Sequence, residues 1–214
     1  MSWKWKIAQA AEVKWWQNYL KKKDKAAYYE WKRKYWRSFL RDIDFTVPAS
    51  PKQIMDAGCG PAGIFTILSD HKVTAVDPLL DSYKEQIAQF DTDDYPHVQF
   101  VTSPIEQYHQ PNKYDIIFCL NCINHVSSIP DSLTNLYECL KPGGQMVIST
   151  DAHNYCFLKN IFQWLPGDIL HPHQYDIAEY QSFLSEAGFE ITKSQKVKSA
   201  QIFGYWVIQA NRPK

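Results

Sequence analysis

Asp56-Ala57-Gly58-Cys59-Gly60-Pro61-Ala62-Gly63 carries three glycines in G-x-G-x-x-G spacing, directly after the apolar run 53–57 (QIMDA). After a strand and at the mouth of a helix, this spacing makes a tight turn and lets backbone N–H groups approach a ligand closely. The helix N-terminus adds a partial positive charge. Asp77 ends the next apolar run, 19 residues after Gly58. A carboxylate there accepts hydrogen bonds from both hydroxyls of a ribose, so the pair predicts a ligand containing adenosine. Asp56 stands immediately before the first glycine, where it would repel a pyrophosphate and attract a cation.

Outward from this loop, strands and helices alternate. Runs 53–57, 73–77, 98–102, 114–119 and 145–150 are short, apolar and rich in β-branched residues, as strands buried on both faces are. Helices are expected over 62–70, 81–90 and 131–141. That order predicts an α/β fold with a parallel sheet and right-handed crossovers. Asp176-Ile177-Ala178-Glu179 has capping-box spacing and opens a helix that stops before Gly188. Runs 189–195 and 203–210 follow without a helix between them, which predicts an antiparallel hairpin at one edge. Residues 151–175 form an insertion too apolar for a plain loop. Residues 1–43 lack Pro and Gly and read as two helices parted by Lys21-Lys22-Lys23-Asp24. Tyr28, Trp31, Tyr35 and Phe39 make one helical stripe, widened by Trp36, Leu40 and Ile43. Pro48-Ala49-Ser50-Pro51 marks a boundary, giving a helical arm over 1–45 and a domain over 46–214.

The 214 residues balance 23 Lys+Arg against 23 Asp+Glu, but the charge is segregated. Residues 1–41 hold 12 basic and 3 acidic residues and six of the eight Trp. The remainder is net −9, against +9 for the arm. No run of about 18 apolar residues is present, which excludes a transmembrane helix, and the absence of a secretory pattern makes a cytoplasmic location the expectation. Five Cys, an odd count, read as reduced thiols, including the single C-x-x-C at Cys119 and Cys122.

S-adenosylmethionine carries a sulfonium and an ammonium and meets the demand for a cationic adenosine ligand. Four motifs in order point the same way: Ile54-Met55-Asp56-Ala57-Gly58-Cys59-Gly60, Val76-Asp77-Pro78, Tyr114-Asp115-Ile116-Ile117-Phe118, and Leu140-Lys141-Pro142-Gly143-Gly144 before a strand. On these residues the chain resembles the class I S-adenosylmethionine-dependent methyltransferases over about 50–210. The resemblance implies a Rossmann-like, mostly parallel seven-stranded sheet with an antiparallel last strand and helices on both faces, here with an N-terminal helical extension. It implies that Gly58, Cys59, Gly60 and Gly63 meet the cofactor through the backbone. Asp56 would sit near the ammonium, Asp77 and Pro78 at the ribose, and Asn121 and Cys122 at the methionine end. The family's usual adenine-binding acid is missing, because Pro104 stands at its place. Ser103 or a backbone carbonyl would substitute, with Ile105 covering the ring. S-adenosylhomocysteine would be the product.

The expected acceptor is a small molecule with an O, N or S nucleophile. A hydroxyl acceptor needs a base within reach. His125, after the fourth strand, and Tyr19 and Tyr28, on the arm, are the catalytic candidates. Tyr35, Tyr155, Trp164 and Tyr175 join them as pocket-lining candidates under a lid formed by the arm and the insertion. An aromatic pocket holds a cationic amine by cation–π attraction or a planar ring by stacking. His171 and His173 form H-x-H with no third ligand evident, so no metal is expected. The oligomeric state stays open. The basic aromatic arm also suits an anionic lipid surface, or RNA, although the acidic body argues against nucleic acid. A nicotinamide-dependent oxidoreductase is a further alternative, since Tyr155 and Lys159 have Y-x-x-x-K spacing, but Asp56 opposes it.

Overall fold

A computed structural model describes residues 3–153, 175–199 and 203–214. Helices α1 (Trp3–Leu20) and α2 (Lys25–Asp42) open the chain. The lysine run between them is a turn, and Asp24 caps α2 by accepting the Ala27 N–H at 2.9 Å. The rest alternates: β1 (Gln53–Ala57), β2 (Lys72–Val76), α3 (Leu80–Gln86), β3 (Val98–Val101), β4 (Tyr114–Leu120), α4 (Ile129–Cys139), β5 (Leu140–His153), α5 (Ile177–Glu186), β6 (Glu190–Ser199) and β7 (Phe203–Asn211). The expected capping box at α5 is present, with Glu179 N donating to Asp176 at 3.0 Å and Asp176 N donating to Glu179 at 2.9 Å.

The seven strands form one sheet in the order β3-β2-β1-β4-β5-β7-β6. The first five are parallel, and β7 runs antiparallel to both β5 and β6, so the hairpin expectation holds. The order reverses between β1 and β4. That switch point sets the loop after β1 beside the turn after β4, where open α/β sheets bind ligands. Side chains alternate across the sheet. Ile54, Phe118 and Val147 point to one face with Leu20, Tyr29, Trp36, Phe39 and Tyr83. Met55, Ile117 and Met146 point to the other with Leu133, Leu136 and Leu184. The helical N-terminal segment therefore shares a core with the sheet.

Several expectations shift. The helix expected over 62–70 is two 3-10 turns, Gly60–Ala62 and Ile64–Ile67, with Gly63 extended between them. The Phe65 N–H is taken by the Asp56 carboxylate at 3.0 Å, so it does not serve a helical ladder. β5 begins at Leu140, where a register irregularity opposite Tyr114 lets the glycines join the strand. β3 is an edge strand and only half-buried. The insertion starts later than 151, because residues 151–153 extend β5. Residues 154–174, with Tyr155, Lys159, Trp164, His171 and His173, lie outside the described residues. The buried stripe of α2 is Tyr28, Tyr29, Trp36 and Phe39, while Trp31 is 52% exposed. The stripe turns because two polar handles point inward: Tyr29 Oη donates to Pro61 O at 2.8 Å and Trp36 Nε1 to Ala62 O at 3.0 Å. Among the described residues no helix is long and apolar enough to cross a membrane.

Candidate active site

The glycine loop is held between two buried carboxylates. Asp56 is 2% exposed and Asp77 6%. Asp77 Oδ2 accepts the Gly60 N–H at 2.9 Å and Oδ1 the Leu79 N–H at 2.8 Å. Gly58 has φ +69°, and a side chain there would overlap Cys122. At Gly63 a Cβ would overlap the Asp56 carboxylate and the Cys59 carbonyl. Glycine at both places is thus a packing requirement. Burial pushes Asp56 up to about 7, against the Phe65 and Ile64 N–H groups and the Lys32 ammonium. Burial, then the Glu12 carboxylate, push Asp77 up to about 7, against the N–H groups of Leu79 and Gly60. Two carboxylates this short of charge compensation favour a cation or hydrogen-bond donors arriving beside them.

Across the switch point, Asn121 has φ +56° and its N–H donates to Ser149 O at 2.9 Å and Ser149 Oγ at 3.0 Å. Cys122 Sγ donates to Ala57 O at 3.1 Å and lies 3.2 Å from Cys119 Sγ. The Cys119 hydrogen bond and burial push the Cys122 thiol up, and burial with the Asp77 and Asp56 charges does the same to Cys59. Both are packing thiols, not nucleophiles. His125 closes the turn Ile123–His125, its N–H bonded to Cys122 O at 2.9 Å. Pro78 follows Asp77 and is half-buried. Thr102 Oγ1 donates to Asp81 Oδ1 at 2.8 Å, Ser103 Oγ donates to Pro104 O at 3.0 Å and Ile105 is buried, so the strip after β3 carries no acid of its own before Glu106.

α1 covers this loop. Trp16 is the ring nearest to Gly60, and the Tyr83 hydroxyl donates to Glu12 at 3.1 Å. Gln17 bonds the Gln86 side chain at 3.1 Å, and Gln89 bonds Leu20 O at 2.9 Å. Tyr19 stacks on Trp15 at 5.0 Å between ring centroids and meets Tyr28 edge-on at 6.1 Å. Tyr28 is 5% exposed and burial raises its hydroxyl, so it stays a neutral phenol in the core.

Lys32 escaped the sequence reading. It is half-buried and lies over the rings of Trp36 (4.8 Å), Tyr35 (5.1 Å) and Trp31 (5.9 Å). Burial lowers it to about 8, against the Asp56 charge. Three rings of α2 thus meet the protein's own lysine, and of these only Tyr35 was among the expected pocket residues. Periodicity could not reveal this, since a charge beside an apolar stripe reads as solvated. Glu12 and Tyr205 were missed because long-range contacts alone place them here. Among the described residues no group of three or more His, Cys, Asp or Glu could hold a metal ion.

Comparison with known proteins agrees with this geometry. A curated relative, the ubiquinone biosynthesis O-methyltransferase of Rickettsia bellii, is 34% identical over 103 residues, covering 47% of this chain and 42% of the relative. The matched part spans less than half the length of such relatives. A candidate methyltransferase of Bacillus halodurans superposes with TM-score 0.68 at 15% identity, covering 84% of this chain and 99% of that one. Phosphoethanolamine N-methyltransferase 2 of Haemonchus contortus, solved with phosphomonomethylethanolamine and S-adenosylhomocysteine, superposes with TM-score 0.65 at 15% identity over 84% of this chain and 53% of that one. The fold is that of the class I methyltransferases. A methyltransferase-domain model matches residues 28–194, and the chain belongs to that family.

Proposed function

We propose that the chain is an S-adenosylmethionine-dependent methyltransferase acting on a small-molecule acceptor. The observation that carries this is the glycine loop flanked by Asp56 and Asp77, both buried and both raised to about 7. Neither carboxylate forms an ion pair among the described residues. That fits a cationic adenosine ligand and opposes a dinucleotide, whose pyrophosphate would lie against Asp56. S-adenosylmethionine, when bound, supplies a methyl group on a positively charged sulfur. Asp56 would hold the cationic end, Asp77 the ribose hydroxyls, Ser103 to Ile105 the adenine, and Asn121 and Cys122 the methionine end. Trp16 and α1 would exclude water. An oxygen acceptor is the first to test, because the Rickettsia relatives are named O-methyltransferases. A screen of phenols, amines and thiols for S-adenosylhomocysteine release tests the acceptor. Release with thiols or amines only would overturn the oxygen preference.

A second reading rests on Trp15, 54% exposed, and Trp31, 52% exposed, among the lysines of α1 and α2. Such a surface suits peripheral contact with anionic lipid. Vesicle flotation that is lost in Trp15→Ala/Trp31→Ala would support it, and no flotation of the wild type would end it.

A further inference from the structure

The strand order fixes how a cofactor would lie across the site. From the switch point toward one edge the order is β4, β1, β2, β3. Asn121 and Cys122 follow β4, the glycine loop follows β1 and Asp77 follows β2. A ligand with its amino-acid tail at the first of these and its ribose at the last carries its adenine on toward the carboxyl end of β3. There Val76 and Val101 are in register, and the Asp77 N–H donates to Val101 O at 3.2 Å. Half-buried Pro78 continues one strand, and half-buried Pro104 with buried Ile105 lies just beyond the other. Apolar groups of this kind suit the faces of a purine.

The edge of the purine makes a different demand. The 6-amino group of adenine donates hydrogen bonds, whereas a 6-oxo group accepts them. An acceptor is therefore needed at the end of β3, and position 104 holds no acid. Glu106 is committed elsewhere: its Oε1 accepts the Ser127 N–H and hydroxyl, both at 2.7 Å, and the Ser128 N–H at 3.3 Å. Ser103 offers only a neutral hydroxyl, turned to Pro104 O. A carboxylate does reach the strip, from the first turn of α3. Asp81 Oδ1 accepts the Thr102 hydroxyl at 2.8 Å, one residue past β3. Asp81 is exposed and has no ion-pair partner among the described residues, so its Oδ2 is left to accept.

We propose that Asp81, oriented by Thr102, accepts the 6-amino group of the cofactor's adenine, in place of the acid absent at position 104. This rests on the methyltransferase reading and deepens its cofactor site. Asp81 recognises the cofactor directly, and Thr102 is a positioning residue. A carboxylate held there accepts from an amino group and rejects an oxo group, because two acceptors would face each other.

The test is equilibrium titration of the full chain with S-adenosylhomocysteine and with S-inosylhomocysteine, in which the amino group is replaced by an oxo group. The wild type should bind the first about tenfold or more tightly. Asp81→Ala should bring the two within about threefold of each other. Asp81→Asn should bind S-inosylhomocysteine more tightly than the wild type does, because its amide NH2 donates to the oxo group. A gain of that kind cannot come from damage to the fold. Thr102→Val should lower the preference, and Thr102→Ser should keep it. Both side chains are exposed, so the melting temperatures of these variants should stay close to that of the wild type. Equal binding of the two ligands by the wild type overturns the proposal. So does a preference unchanged in Asp81→Ala, which would give the amino group to Ser103 or a backbone carbonyl. Binding of neither ligand strikes the methyltransferase reading, whereas tight binding of both strikes only the role of Asp81.

Discussion

Asp56 and Asp77 are where residue chemistry decides function. A carboxyl raised in the folded state makes the fold more stable when protonated, and that advantage is lost as pH rises from the unfolded value near 3.8 through about 7. These two groups should therefore lower the stability of the ligand-free protein across that window. The cationic end of the ligand selects the ionised form of Asp56, so affinity moves the opposite way. Affinity for S-adenosylmethionine should rise roughly tenfold from pH 6 to pH 8 and flatten above, as calorimetric titration across that range would read. A flat profile would mean that Asp56 does not face the ligand's cationic end. Asp77→Ala should weaken cofactor binding about tenfold or more, the worth of a charge-assisted hydrogen bond to a hydroxyl. Gly63→Ala forces a methyl group onto Asp56 and the Cys59 carbonyl. It should cost about 1–3 kcal/mol and lower the melting temperature by several degrees in thermal unfolding.

At the scale of elements, the strands and caps could be read from local pattern because their causes are local. Short, continuously buried apolar runs, the Asp24 cap and the Asp176–Glu179 box all act within a few residues. The elements that moved are governed by distant partners. The turn after Gly60 stays 3-10 because Asp56, nine residues from Phe65, takes its N–H. The α2 stripe rotates because Tyr29 and Trp36 find carbonyls at Pro61 and Ala62, about thirty positions away. The cofactor half of the site was legible, since its glycines and acids lie in compact motifs. The groups that cover the loop were not, because Glu12, Lys32 and Tyr205 come from three separate elements. Trp36→Phe keeps the ring but leaves the Ala62 carbonyl without its indole donor. It should cost about 1–3 kcal/mol and loosen cofactor binding, because it unties the loop from α2. Unchanged stability and affinity would show that α2 does not brace the loop.

For the whole molecule, the zero net charge conceals a division that the fold then bridges. The basic aromatic arm was expected as a region of its own, yet Tyr28, Tyr29, Trp36 and Phe39 share one core with Ile54 and Phe118. Calorimetric unfolding should accordingly show one transition, and removal of residues 1–41 should unfold the chain instead of merely opening a lid. The acidic body places its two most buried carboxylates at the glycine loop, where they ask for a cation. The direct test is an equilibrium titration of the purified protein with S-adenosylmethionine, S-adenosylhomocysteine and NAD in parallel. Saturable binding of the first two, with none of NAD, is the predicted result. Binding of NAD with none of S-adenosylmethionine would contradict it.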